Sequence, residues 1–308
     1  MVMTTMRDQR AMRSIIGFVL VVAVVLIATA CSAIRLGYGQ VPMLAYRWLD
    51  GWVDFDDAQE AKVREALEAM HRWHRRTQLP DYAQWLEKTA AEMPRGDITG
   101  DEVCRSAKDL EARWFALVDH LSPAAAELAA SLTDAQLAHL QKRFDEGMKK
   151  YRDEHGKGDA KAREKASLER SVSRSETFYG SLDEPQKALL AQAAKTPLWE
   201  PEVVIAERKQ RVRELVEIIK DGRRAAQEGP RDEALAKLRV SLREWAGQGV
   251  QSPRADYRAF QKRMQEASCA LTAQVHNAGG PAVRQAARAK LEGWAADAKA
   301  LADNGDPR

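Results

Sequence analysis

The densest group of residues that could do chemistry is the hexapeptide 71–76, HRWHRR, in which two histidines stand three positions apart. His71 and His74 would lie near each other on a helix, so their imidazoles could share a metal ion. A structural zinc site needs four ligands, and no other Cys or His pair in the sequence offers the remaining two. We therefore interpret His74 as a core histidine beside a solvated basic face, and we expect no metal and no other cofactor.

Catalytic motifs of the common enzyme classes are absent from the sequence: there is no GxSxG, HExxH, P-loop or glycine-rich dinucleotide turn. Carboxylates such as Glu65 and Glu68 occupy helical positions where a charged face is usually solvated. Catalytic residues can also converge from distant helices, so an envelope enzyme acting on peptidoglycan or lipid stays an alternative. A pocket with converging carboxylates or histidines of shifted pKa would favour that alternative.

Cys31 points to a different chemistry, acylation of the chain. A basic segment, 7–13, precedes the apolar run 15–28, which is too short for a membrane span of about 20 residues and is typical of a cleaved signal. The stretch 26–31, LIATAC, resembles the lipobox of bacterial lipoproteins, although Ala28 replaces the leucine usual at that position. The alternative is an uncleaved N-terminal anchor with an incidental cysteine.

The lipobox resemblance implies a cellular location for the protein. It implies that residues 1–30 are removed and that Cys31 carries several acyl chains, which together give a stable tether. It also gives Ser32 a sorting role, because an aspartate at that position favours retention in the inner membrane. With serine there, the resemblance implies an outer-membrane anchor and a domain that faces the periplasm.

The other two cysteines, Cys104 and Cys269, form a candidate disulfide. An oxidising periplasm favours such a bond. Each cysteine lies on the flank of the apolar stripe of its helix, where it can meet a neighbouring helix. Two inert buried thiols are the alternative.

Three short segments predict where helices begin. In each, an apolar residue precedes Asp or Thr, and Gln follows three positions later, which is a capping box: the first side chain accepts from the backbone N–H of the Gln, and the Gln reaches back. The pairs are Asp56 with Gln59, Thr133 with Gln136, and Asp183 with Gln186. The middle copy resembles the LTxxQ motif of Spy-type periplasmic chaperones, small helical proteins that hold unfolded clients, although capping alone also explains these residues.

Apolar residues recur at spacings of three and four from residue 56 onward, and the sequence contains no period-two β-branched alternation. This pattern predicts an all-α fold, a bundle of ten or eleven helices spanning 56–302. We expect Pro80 to end one helix and Ser122-Pro123 to start another. We expect 303–308 to be a disordered tail.

Residues 31–55 are predicted to be a lipidated tether and an aromatic anchoring segment, with several glycines as breakers. Their tryptophans and tyrosines could lie at a membrane interface or could fill the bottom of the helical core.

Charge argues against one class of partner. The formal net charge is +3, and the leader holds three arginines against one aspartate, so the chain after the leader is close to neutral. General nucleic-acid binding needs a basic face, and we expect no nucleic-acid partner.

The chain as a whole resembles an uncharacterised family of proteobacterial lipoproteins, known only as a domain of unknown function. The resemblance rests on 31–38 (CSAIRLGY), 48–51 (WLDG), 54–56 (DFD), 73–80 (WHRRTQLP) and 178–180 (FYG). It runs through most of the chain after the leader and is weakest in the last third. It implies a lipoprotein and supplies no activity.

We therefore expect an outer-membrane-anchored protein that acts by binding, in a chaperone-like or scaffold role in maintenance of the cell envelope. Its expected partners are the membrane, through the lipid anchor, and periplasmic or outer-membrane proteins. A structural role in a membrane complex is a further alternative, which predicts an exposed apolar patch larger than a few hundred Å².

Overall fold

The computed structural model describes residues 37–156, 158–195 and 198–303. These residues contain eleven α-helices and no strand, which confirms the predicted fold class. The helices are α1 (Val41–Val53), α2 (Asp57–Trp73), α3 (Leu79–Glu92), α4 (Gly100–Ser131), α5 (Asp134–Gly156), α6 (Ala160–Tyr179), α7 (Glu184–Lys195), α8 (Pro201–Glu228), α9 (Arg231–Gly247), α10 (Ala255–Ala278) and α11 (Pro281–Asp303). The signal 1–30, Cys31, Ser32 and the tail from residue 304 lie outside the described residues.

Much of the segment expected to be a tether is α1, a helix packed against α2 and α5. Tyr46 is buried in a small cluster with Val63 and Leu67 of α2. Gly51 lies inside the helix and does not interrupt it. The aromatic residues divide between two environments, because Tyr46 fills the core while Trp48 is 63% exposed.

The helix break expected at Ser122-Pro123 is wrong, because α4 continues through Pro123. Proline lacks the N–H that would bond to the carbonyl four residues earlier, here that of Asp119. The hydroxyl of Ser122 donates to this carbonyl oxygen at 3.0 Å. The side-chain donor thus satisfies an acceptor that the proline would leave unpaired.

Pro80 does not separate two helices in the way expected either. A π-helical segment, His74–Gln78, follows α2 directly, and α3 begins at the next residue. The N–H of Leu79 donates to the carbonyl of His74, five residues back. Pro80 then occupies the first turn of α3, a position at which proline is tolerated.

The core is divided among groups of helices. The two larger clusters of buried apolar residues lie among α3, α6, α7, α10 and α11, and among α4, α5, α8 and α9. The 32-residue helix α4 contacts α2, α8, α9 and α10, so it connects these groups. Within the described residues, none of the helices is both long enough and apolar enough to cross a membrane.

Candidate functional site

His71, near the end of α2, and His74, the first residue of the π-helical segment, contact the start of the described chain. Nδ1 of His74 lies 2.9 Å from the hydroxyl of Tyr38, and Nε2 of His71 lies 3.0 Å from the backbone carbonyl oxygen of Tyr38. Burial lowers the pKa of His74, and the neighbouring His71 adds to this effect. The pair therefore fixes the N-terminal approach to α1. Throughout the described part of the chain, no three His, Cys, Asp or Glu side chains are grouped so that they could hold a metal ion.

The six residues of the capping motifs lie at the starts of α2, α5 and α7. The backbone N–H of Asp56 donates to Oε1 of Gln59 at 3.1 Å, and the N–H of Gln59 donates to the Asp56 carboxylate at 2.8 Å. The corresponding pairs of bonds measure 2.9 and 3.2 Å for Thr133 with Gln136, and 3.1 and 3.0 Å for Asp183 with Gln186.

These glutamines also join helices to each other, which sequence reasoning missed. Nε2 of Gln59 donates to Oε1 of Gln136 at 3.2 Å, and Nε2 of Gln136 donates back to Oε1 of Gln59 at 2.6 Å. Gln136 also donates to the carbonyl of Asp54 at 2.7 Å. In the third motif, Nε2 of Gln186 donates to the carbonyl of Val275 at 2.9 Å. All three glutamine side chains are buried.

The residue type carried a signal for this second role. A glutamine in a capping box accepts with its oxygen and keeps two N–H donors for other helices, whereas a glutamate has no donor to offer. The structure contains a fourth box that we did not predict, Thr99 with Glu102 at the start of α4, and that box is exposed. The amide thus distinguishes a capping residue that packs between helices from one at the surface.

Cys104 and Cys269 lie together and link α4 to α10. Their sulfurs are 2.10 Å apart and their Cα atoms 5.5 Å apart, within the usual range for a disulfide. The bond closes a sequence separation of 165 residues. Cys269 is buried and Cys104 is half-buried.

An apolar concavity of about 600 Å³ lies between α4, α8, α9 and the turn that follows α9; we call it the apolar cleft. Apolar side chains from α4 and α9 form most of its wall, and Gly249 and Val250 form one edge. Trp114 is 45% exposed at this cleft, although it is one of the largest apolar side chains of the chain. The lining residues are Trp114, Val118, Leu121, Ser122, Ala125, Arg211, Leu242, Arg243, Trp245, Ala246, Gly249 and Val250.

Both arginines of the apolar cleft form hydrogen bonds to neighbouring helices. Arg211 donates to the carbonyl of Trp245 at 3.2 Å, and the indole N–H of Trp245 donates to the carbonyl of Arg211 at 2.7 Å. Arg243 forms a two-point ion pair with Asp119 of α4. These contacts fix α8 and α4 against α9.

A buried polar network fixes the edge of the apolar cleft. Oε1 of Glu207 accepts from the Ser252 hydroxyl at 2.8 Å, and the second carboxylate oxygen accepts from Nε of Arg254 at 2.5 Å. Burial acts to raise the pKa of Glu207, but the hydrogen bonds from Arg254 and Ser252 outweigh it and hold the pKa below its ordinary value. The network ties the turn that carries Val250 to α8. Nothing in the local sequence distinguished this carboxylate from the many exposed ones.

The comparisons with known proteins give a family but no activity. A family model described as a family of unknown function, DUF6279, matches residues 51–244. No curated protein and no solved structure shows significant similarity to the chain. The matched range includes α4, α8 and most of α9, the helices of the apolar cleft, and leaves out α10 and α11. Because the match covers more than half of the chain, this protein belongs to the DUF6279 family of unknown function.

Proposed function

We propose that the protein is an outer-membrane-anchored lipoprotein, facing the periplasm, that holds apolar segments of unfolded proteins in the apolar cleft. It is then a chaperone-like binding protein of the cell envelope. The observation that carries the proposal is the apolar cleft itself, with a large aromatic side chain left exposed in its wall.

Two features support the proposed location in the cell envelope. The leader and Cys31 resemble the signal and acylated cysteine of bacterial lipoproteins, and Ser32 follows as the sorting residue. The Cys104–Cys269 disulfide adds weak support, because structural disulfides persist mainly in oxidising compartments such as the periplasm.

The binding mode follows from the lining of the apolar cleft. Its volume of about 600 Å³ lies within the range of small-molecule sites, so it has room for one or two apolar side chains of a client. Fully burying one large apolar side chain of a client contributes about 1.5–3 kcal/mol, and ordering the client offsets part of that gain. One or two client side chains would therefore bind weakly and reversibly, as a protein that holds and releases many clients requires.

An aggregation assay tests this function. We expect the purified chain without residues 1–30 to slow the aggregation of an unfolded client at near-stoichiometric ratios. Ala125→Trp, which fills the cleft from α4, should abolish the protection. Ala112→Trp is the matched control, since Ala112 is also exposed on α4 but does not line the cleft. The proposal fails if several clients gain no protection, or if the two variants lose protection equally.

A further inference from the structure

A second concavity of about 450 Å³ lies between the start of α1 with the residues just before it, α2 with the π-helical segment, and the end of α11; we call it the basic cavity. Its lining carries four arginines and His71 against one acidic residue, Glu68. The remaining lining comes from small or apolar residues. The arginines are Arg64, Arg72, Arg75 and Arg76.

The helical spacing explains why these charges converge. Arg64, Glu68, Arg72 and Arg76 follow each other at intervals of four residues, so along a helix they form one line of neighbouring side chains. His71 and Arg75 form a second line beside the first, at the same interval. In the first line Glu68 lies between Arg64 and Arg72, so the like-charged neighbours at this spacing are Arg72 and Arg76, and an anion between them would relieve their repulsion.

The arginines differ in how firmly they are held. Arg64 bonds to Glu60 at 2.6 Å and lies 3.7 Å from the centre of the Tyr46 ring. Arg72 reaches Glu68 only at 3.9 Å, with both side chains exposed, and Arg76 is exposed at the end of the line. Arg64 is thus held in one position in the lining, while Arg72 and Arg76 can turn their guanidinium groups toward a ligand.

We propose that the basic cavity binds a phosphate group. The planar guanidinium fork matches phosphate oxygens with two parallel hydrogen bonds, and phosphate offers enough oxygens and charge to engage several arginines together. The segment 31–36 just before the described chain, CSAIRL, contains no acidic side chain that could neutralise the cavity. The tail 304–308 follows Ala302 of the lining and Asp303, and it contains Asp306, so the titration is run with and without this tail.

The phosphate can come from free phosphate or from a lipid headgroup. Gly39 and Pro42 line the basic cavity, and only residues 32–38 separate Gly39 from Cys31. Fully extended, that stretch spans about 25 Å, so an acylated Cys31 would keep the cavity close to the membrane surface. The lipid source therefore rests on the proposed lipid anchor, whereas the phosphate site does not.

Calorimetric titration with inorganic phosphate, and flotation with phosphatidylglycerol vesicles against phosphatidylcholine vesicles, test the site and its source. We expect Arg72→Gln/Arg76→Gln to weaken phosphate binding by at least about tenfold, because a hydrogen bond to a charged group contributes about this much. Arg105→Gln/Arg224→Gln is the matched control, since both of these arginines are exposed and each, like Arg72, has one loose acidic neighbour, at 3.9 and 3.7 Å. The control should bind like the unaltered chain.

Phosphate binding without vesicle binding supports the site with free phosphate as its source, and binding to the anionic vesicles as well supports the lipid. Four results overturn the proposal: no binding of phosphate or vesicles, equal loss in both double variants, equal competition by acetate, or binding only after residues 304–308 are removed. Protection in the aggregation assay should be unchanged in Arg72→Gln/Arg76→Gln, so failure here is distinguishable from failure of the chaperone-like function.

Discussion

The apolar cleft and the basic cavity both contain arginines, yet they present opposite surfaces. In the apolar cleft, Arg211 and Arg243 bond to Trp245 and Asp119, so the surface open to a ligand is mainly apolar. In the basic cavity, Arg72 and Arg76 are exposed, and the charge itself is the surface. An arginine's partner on the adjacent helix, rather than its presence in the sequence, therefore decides which surface a concavity presents.

The two concavities also differ in how their walls are held. The apolar cleft is built on α4, which the Cys104–Cys269 disulfide ties to α10. The basic cavity depends on noncovalent contacts, among them the bonds of His71 and His74 to Tyr38. Removing the contacts that hold one concavity should therefore destabilise that concavity more than the other.

Removing the disulfide should affect the apolar cleft most strongly. A bond across a separation of 165 residues is expected to stabilise the fold by about 5 kcal/mol in the chain-entropy model. Cys104→Ser/Cys269→Ser should lower the denaturation midpoint in urea. Amide hydrogen exchange should rise more in α4 and α10 than in α2. An unchanged midpoint would contradict the assigned role of the bond, whereas equal acceleration in all helices would show that the bond acts on the unfolded chain and not on the wall of the apolar cleft.

The Gln59–Gln136 pair connects helices that belong to the two concavities. It links the start of α2, which lines the basic cavity, to the start of α5 beside the end of α4, which lines the apolar cleft. Gln136→Ala should cost about 1–3 kcal/mol of unfolding free energy, because it leaves buried polar groups unpaired. Glu102→Ala, in the exposed capping box, should cost nearer 0.5–1 kcal/mol, at about the level of an ordinary cap.

A double-mutant cycle between Gln59→Ala and Gln136→Ala, followed by urea denaturation, measures the coupling directly. We expect the two substitutions together to cost less than the sum of their separate effects. Additive costs would show that the two side chains act only as local caps.

Local sequence patterns predicted the helices but neither concavity. The capping residues Asp56, Thr133 and Asp183 lie where helices begin, because a cap depends only on residues within one turn. Pro123 misled the same kind of reasoning, because the hydroxyl of Ser122 replaces its missing donor. The apolar cleft combines α4, α8 and α9, so its shape depends on packing between segments far apart in the chain.

The smallest expected effect is that of pH on stability, through His74 beside the basic cavity. Burial holds the pKa of His74 below its ordinary value of 6.5, so the folded state prefers the neutral imidazole. This contribution to stability is fully present above pH 6.5 and is lost as the pH falls from 6.5 toward the lowered folded pKa, because only the unfolded chain binds the proton there. Replacing His74 by glutamine should flatten the pH dependence of the urea midpoint between pH 7.5 and 5.5.

Other histidines with lowered pKa, such as His120 and His276, respond to acid in every variant, so the informative quantity for His74 is the difference between variant and unaltered chain. An identical slope in both chains would show that His74 does not sense pH.

The most direct test of client binding in the apolar cleft is site-specific photo-crosslinking. A photoreactive residue replaces either Ala125, inside the cleft, or Ala112, outside it on the same helix, and an unfolded periplasmic client is added before illumination. We predict crosslinks to the client from position 125 and none above background from position 112. Equal crosslinking at the two positions, or none at position 125 while the chain still slows aggregation, would contradict binding in the apolar cleft.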